Sequence, residues 1–325
     1  MLLDTSSFAK TLVVGDGAER ALSWICANEI RGQEGKCTYT HFLNEAGGVQ
    51  GDVTVRQLDK NQWLLLSPTA DGPRDMDWIQ RQMPEECRSS THLVDVTAQY
   101  AVLGVMGPTS PAVLAAASSW SEEQWLSMKR SAAATVEIGM VQATSVRTSF
   151  VGEKNGWELI CEADVAQHVY DALRETGGTT DAGYFAIDSL RIQAGRSALG
   201  HELDAEVSPL DAGLGFAVKL DKPGGFLGQE ALRTRPAGKR LCMLSAPALE
   251  LAELHDRVMW GGEPIVINGE YTGEFVTSAS LVPTRDEDGV ARKLVNTGLA
   301  YLDEPGAIVQ VEVAGNRVEM TTRRV

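Results

Sequence analysis

The sequence predicts an α+β protein: two mixed helix-and-strand units followed by a small all-β module. Three observations lead there. Segments with the two-residue alternation of half-buried strands interleave with helix-period segments as far as Pro236. Beyond it helical periodicity nearly vanishes, and the turn pairs Gly261-Gly262, Asn268-Gly269 and Gly315-Asn316 separate short strands. At 325 residues the chain also exceeds what one hydrophobic core usually serves. The expected division is 1–135 and 136–236 for the two mixed units and 237–325 for a β-barrel.

Element by element, AKTLVV (9–14) reads as a strand, and Gly15-Asp16-Gly17 turns it into a helix with Ala21, Leu22, Trp24, Ile25 and Cys26 on its apolar face. That Gly-x-Gly lacks the third glycine and the βαβ context of a dinucleotide loop, so it reads as an ordinary turn. CTYTHFL (37–43), DVTVRQL (52–58) and QWLLLS (62–67) read as strands, the first two joined through Gly47-Gly48. A helix follows around 74–82, and YAVLGVM (100–106) is a buried strand by its length and apolarity. Ser110 and Pro111 open the next helix, as cap and first-turn proline. VRTSFVG and GWELICE read as strands of a hairpin turned at Asn155-Gly156. Helices follow after Asp164 and over 182–194, and Thr284–Arg292 reads as an exposed, charged loop.

Composition narrows the function classes. A net charge of −15, from 44 acidic and 29 basic residues, repels phosphate backbones and argues against nonspecific nucleic-acid binding. No apolar run is long enough to span a bilayer, and the start lacks the basic region and apolar core of a secretory signal. The five cysteines and five histidines are scattered without metal-ligand spacing, which predicts no metal site, free thiols and a reducing, cytoplasmic setting.

Three stretches carry candidate chemistry. In Asn44–Asp52 two glycines let the backbone pass close to a ligand, and Asp52 stands at a strand mouth, where it caps the turn or handles a proton. Glu158 lies between Trp157 and Leu159 in a strand and so faces away from them, toward solvent or into a cleft. Asp188 and Arg191 are three apart on a helix, a spacing that allows a local ion pair.

Taken in order, the motifs resemble a known family. Asp-x-Leu-Arg-(x)3-Gly from Asp188, Gly-His-Glu-Leu-Asp from Gly200, Ser-Pro-Leu-(x)2-Gly-Leu-Gly-(x)2-Val-Lys from Ser208 and Phe-Leu-Gly-Gln-Glu-Ala-Leu from Phe226 are similar to the signature of the glycine cleavage T-protein (aminomethyltransferase) family. Asn44-Glu-Ala-Gly-Gly, Gly104-Val-Met-Gly-Pro-Thr-Ser and Gly156-Trp-Glu-Leu fit it too. Gly51-Asp-Val-Thr-Val and the run from Asp95 most resemble the folate-binding region of dimethylglycine and sarcosine dehydrogenases. The resemblance implies a T-protein-like folate-binding fold, with tetrahydrofolate as cofactor. It implies Asp52 as the catalytic carboxylate beside the reactive folate nitrogens. Glu158 becomes the pterin-recognising glutamate, and Arg191 and Tyr39 further members of the same site.

The implied activity is tetrahydrofolate-dependent transfer of an aminomethyl or methylene unit, forming 5,10-methylenetetrahydrofolate from a methylated amine such as dimethylglycine or sarcosine. The chain carries no FAD-binding domain, so a separate FAD-dependent amine dehydrogenase subunit is the expected partner, with neither nucleic acid nor membrane involved. The alternatives are a folate-dependent demethylase of another methyl donor and a noncatalytic folate-binding subunit. The pattern departs from the family in places. Gly51 stands where T-proteins have the first of two aspartates, Phe150 replaces a tyrosine, and Ala279-Ser280-Leu281 replaces a glycine-tyrosine wording. Gly225 stands where an iron–sulfur-linked group has cysteine, and Leu3–Phe8 matches a segment well inside the family's usual start, so an N-terminally short first unit is expected.

Overall fold

The computed structural model describes residues 1–33, 35–236, 238–250, 253, 257–285, 291–304 and 306–325. They form two compact units, Met1–Gly183 with Gly215–Arg233, and Tyr184–Leu214 with Thr234–Val325.

The first unit opens with β1 (Leu2–Asp4), β2 (Ala9–Val14), α1 (Ala18–Ile25), β3 (Cys37–Leu43), β4 (Val49–Asp59), β5 (Gln62–Ser67), α2 (Gly72–Gln82) and β6 (His92–Asp95). It continues with β7 (Tyr100–Met106), α3 (Ser110–Ala117), α4 (Glu122–Ser127), β8 (Ala133–Ile138), β9 (Val141–Arg147), β10 (Gly156–Glu162), α5 (Ala166–Glu175) and β11 (Asp181–Ala182). Two sheets result: five strands in the order β3-β4-β5-β2-β6, and six in the order β11-β1-β7-β10-β9-β8. Alternation decides which face each residue serves. Val53, Val55, Trp63 and Leu65 of the first sheet pack under Leu22 and Ile25 of α1 and Ile79 of α2. Trp157, Leu159 and Leu103 of the second sheet pack under α3, α4 and α5 through Leu114, Trp125 and Leu173. The remaining faces meet each other, Cys37, Leu64 and Leu66 of the first sheet burying Val102, Val146 and Ile160 of the second. Arg56 Nη1 crosses this layer to donate to the Thr144 hydroxyl at 3.1 Å.

The second unit contains α6 (Tyr184–Gln193) and strands β12 (Arg240–Ser245), β13 (Leu249–Glu250), β14 (Pro264–Ile267), β15 (Glu270–Phe275), β16 (Ser278–Arg285), β17 (Ala291–Leu302), β18 (Ile308–Val313) and β19 (Asn316–Arg324). Their order is β13-β17-β12-β19-β18-β14-β15, with β16 also paired to β17. Thr277, just before β16, extends the β16–β17 pairing by donating its N–H to Leu299 O at 2.8 Å. The β14–β15 turn is Asn268-Gly269 with φ of 53° and 85°, the positive pair that a two-residue hairpin requires.

Some expected elements differ. The strand expected through VRTSFVG ends at Arg147. Asn155-Gly156 is no positive-φ turn; Gly156 begins β10, and its missing side chain is what fits, since a Cβ there would lie 2.6 Å from Thr148 O. The first α3 residue is Ser110, one later than the cap position, which Thr109 takes. The expected boundary at 135 falls within β8. Of the expected loop Thr284–Arg292, residues 286–290 lie outside the described residues.

Candidate functional site

The β3–β4 hairpin sets the position of Asp52. Its turn is folded by Asn44, whose side-chain oxygen accepts from Ala46 N–H at 3.0 Å and Gly48 N–H at 2.9 Å. Gly47 has φ of 81°, and a Cβ there would meet Leu232 at 2.9 Å, so the turn closes directly onto the short helix Gln229–Thr234. From this anchored turn the register places Asp52 opposite His41 and Thr54 opposite Tyr39. By alternation these residues share the face of Cys37 and Arg56, the face turned toward the second sheet.

Asp52 is 11% exposed and His41 is fully buried, with His41 Nε2 3.9 Å from Asp52 Oδ1. His41 Nε2 is 3.2 Å from the Tyr39 hydroxyl. Burial pushes the Asp52 carboxyl up to about 7, opposed by a hydrogen bond from Tyr39 and reinforced by the charge of Asp71. The same desolvation pushes the His41 imidazole down to about 3. Asp52 is thus a carboxyl balanced between its two protonation states near neutrality, the property a proton-handling group needs. Tyr39 in turn stacks on Phe216 with ring centroids 6.0 Å apart and an interplanar angle of 27°. Phe216 is 66% exposed, so the pair offers an open aromatic surface beside the carboxyl.

Glu158 sits on β10 paired with Val146 and Gly104. It faces the layer between the sheets, as Ile160 does, and not solvent; the Cys37 thiol across that layer is pushed up mainly by burial, with the charge of Glu158 adding to it against that of Arg56. Desolvation pushes the half-buried Glu158 carboxyl up to about 7. No hydrogen-bond donor to it is found among the described residues. A desolvated carboxylate without donors is costly alone and suits a ligand that brings N–H groups.

Arg191 lies in the second unit. It is buried on α6, and within its unit Nε donates to Asp188 Oδ1 at 2.7 Å, Nη1 to Glu202 Oε2 at 2.5 Å and Arg196 O at 3.1 Å, and Nη2 to Ser278 Oγ at 2.8 Å. Glu202, itself buried, neutralises the guanidinium, so the charge has no need of a ligand. Its place is that of a buried clasp tying α6 to the 196–202 loop and β16.

Three residues of this region escaped sequence reasoning. Phe216 sits in the Leu-Gly-Phe-Ala-Val motif with nothing to flag it, and His41 looked like one scattered histidine. Asp75 of α2 lies on the helix side of the first sheet, its Oδ1 3.1 Å from where a Cβ on Gly51 would be. Its alternation with Ile79 over one helical turn was the available signal of burial. Two recesses in the first unit, about 270 Å³ beside Tyr100 and Glu162 and about 700 Å³ beside Trp24 and Arg31, include none of Tyr39, Asp52 or Glu158. The site is therefore identified by its chemistry and not by its volume.

Residues 1–222 match the family model of the GCVT N-terminal domain. The chain is 34% identical over 303 residues to 4-methylaminobutanoate oxidase (formaldehyde-forming) of Paenarthrobacter nicotinovorans, covering 89% of this chain and 36% of that protein. It is 30% identical over 327 residues to the aminomethyltransferase of Geobacillus thermodenitrificans, covering 98% of this chain and 84% of the relative. The chain thus spans about a third of one relative and most of the other. The crystal structure of glycine cleavage system aminomethyltransferase T from Bartonella henselae superposes with a TM-score of 0.78 at 19% identity, over 100% of this chain and 85% of that one, and so shares the fold.

Proposed function

The chain belongs to the family of the GCVT N-terminal domain, and on that premise we propose that it is a folate-dependent one-carbon transferase. The substrate class is a methylated amine such as dimethylglycine or sarcosine, and the product 5,10-methylenetetrahydrofolate. The observation that carries this reading is that two desolvated carboxyls, Asp52 of β4 and Glu158 of β10, both face the layer between the two sheets, with the Tyr39–Phe216 stack beside Asp52.

These groups fit a reduced folate. A pterin edge is rich in N–H donors and would supply what the Glu158 carboxylate lacks, while Tyr39 and Phe216 present an aromatic face to a flat ring. When bound, tetrahydrofolate supplies the nucleophilic nitrogen that accepts the carbon. Asp52 takes the proton released there, or balances positive charge beside it, and at a pKa of about 7 it does so without strong driving force in either direction. Tyr39 supports the ionised form by donating its hydroxyl. Arg191 belongs to the second unit, where it holds α6 and the 196–202 loop in place through Glu202 and Ser278. Oxidation of the amine falls to a separate FAD-dependent subunit.

Asp52→Asn tests the assignment. Carbon captured as 5,10-methylenetetrahydrofolate is measured from dimethylglycine or sarcosine in the presence of a flavoprotein amine dehydrogenase. Turnover should fall by about 10²–10⁴-fold, the usual worth of a proton-transfer group, with tetrahydrofolate affinity nearly kept. Unchanged turnover removes Asp52 from the reaction.

A further inference from the structure

We propose that His41 is a positioning residue for Asp52: its Nε2–H donates to the Tyr39 hydroxyl, which donates to the Asp52 carboxylate, so the imidazole fixes the direction of a three-residue relay. The proposal rests on the role given to Asp52 above.

Geometry carries it. His41 is fully buried, with Nε2 3.2 Å from Tyr39 Oη, within hydrogen-bond range, and 3.9 Å from Asp52 Oδ1, beyond it. The Tyr39 hydroxyl also hydrogen-bonds the Asp52 carboxyl, whose Oδ1 has no hydrogen-bond partner among the described residues, so it is the group that the imidazole and the carboxyl share. The two rings meet in an edge arrangement, with centroids 5.1 Å apart at 75°. His41 and Asp52 are direct partners in the β3–β4 register, so neither can shift without the hairpin.

The second ring nitrogen settles the direction. His41 Nδ1 is buried and has no hydrogen-bond partner among the described residues. A neutral imidazole bears one proton, on Nδ1 or on Nε2. A buried N–H left unpaired is rarer and more costly than a buried acceptor left unpaired. The proton accordingly sits on Nε2, and Nδ1 is the bare acceptor. With Nε2–H donating into its oxygen, Tyr39 has its own proton free for Asp52, and each bond of the chain polarises the next. The surrounding charges do not disturb this. Desolvation alone accounts for the lowered His41 pKa. Asp71 and Asp75 come from the α2 side, where Arg74 pairs with Asp71 at 3.3 Å, and the charge of Asp71 falls on Asp52 and Asp75. His41 thus acts as a fixed dipole and not as an acid or base.

The full chain labelled with ¹⁵N-histidine tests the direction by NMR, the His41 signals being identified through their loss in His41→Gln. The expected result is an Nε2–H tautomer that does not titrate between about pH 5 and about pH 9, well above the range of a desolvated imidazole. An Nδ1–H tautomer, or a His41 midpoint inside that window, overturns the proposal. A ¹³C-aspartate titration then follows Asp52 without recourse to turnover. His41→Leu should raise its midpoint, an about threefold to tenfold loss of acidity, and His41→Gln, which keeps a donor, should restore most of it. An unmoved Asp52 midpoint in folded His41→Leu overturns the relay. A moved midpoint with unaltered turnover leaves the relay standing and removes Asp52 from the reaction. Should His41→Leu not fold, the wild-type tautomer decides alone.

Discussion

Replacing Asp75 with Asn should make the protein more stable at alkaline pH and leave it nearly unchanged at acid pH. Asp75 is 3% exposed, and neither carboxyl oxygen has a hydrogen bond of good geometry. Burial pushes its carboxyl from 3.8 to about 7, eased by Ser67 and Arg74 and worsened by Asp71 and Asp52. The folded state therefore holds a proton that the unfolded chain releases near the ordinary carboxylate value. Stability from this group is complete below that value and is lost as pH rises through about 7. A shift of about three units corresponds to at most ~4 kcal/mol, and relaxation around a charged Asp75 reduces it, so ~2 kcal/mol is the expected gain at pH ~8.5. Asn keeps the shape and cannot ionise. Urea unfolding followed by tryptophan fluorescence at about pH 4, near the unfolded carboxylate value, and at about pH 8.5 reads the effect, with α2 reported by its own Trp78. An Asp75→Asn protein that shows the wild-type pH dependence, or is less stable than wild type at the alkaline pH, refutes the reasoning.

Other perturbations follow from the same geometry. Burial pushes the Glu158 carboxyl up to about 7, and it accepts ligand donors far more strongly when ionised, so tetrahydrofolate affinity by calorimetry should be up to about tenfold weaker at pH ~6 than at pH ~8. Glu158→Gln should flatten that dependence and weaken binding at the higher pH. Arg191→Ala strands the buried Glu202 and should destabilise the second unit by about 3–5 kcal/mol in thermal unfolding, whereas Arg191→Met with Glu202→Leu should recover most of it. Gly51→Ala places a Cβ 3.1 Å from Asp75 Oδ1 and against the Phe42 ring, and should lower stability by about 1–3 kcal/mol.

The strands were legible because their periodicity is local: AKTLVV, CTYTHFL, QWLLLS and YAVLGVM coincide with β2, β3, β5 and β7. The hairpin at Asn268-Gly269 was legible for the same reason, since positive φ is a demand on two adjacent residues. Asn155-Gly156 misled because close packing against Thr148 and Met106, and not turn chemistry, calls for that glycine. The faces of Asp52 and Glu158 followed from alternation, but what each face meets did not, since the layer is made by two sheets distant in sequence. Only the packing of Cys37 and Leu64 against Ile160 makes that face an interior. Arg191 shows the converse. Its i,i+3 pair with Asp188 was readable, whereas Glu202 and Ser278, eleven and 87 residues away, reach it only through the tertiary fold.

The proposed function stands or falls most directly on reduced-folate binding by the intact chain. Tetrahydrofolate titrated anaerobically into the wild-type protein at pH ~8, followed by calorimetry, should give saturable binding to one site per chain that is weakened in Glu158→Gln. A folded wild-type chain that gives no saturable binding contradicts it.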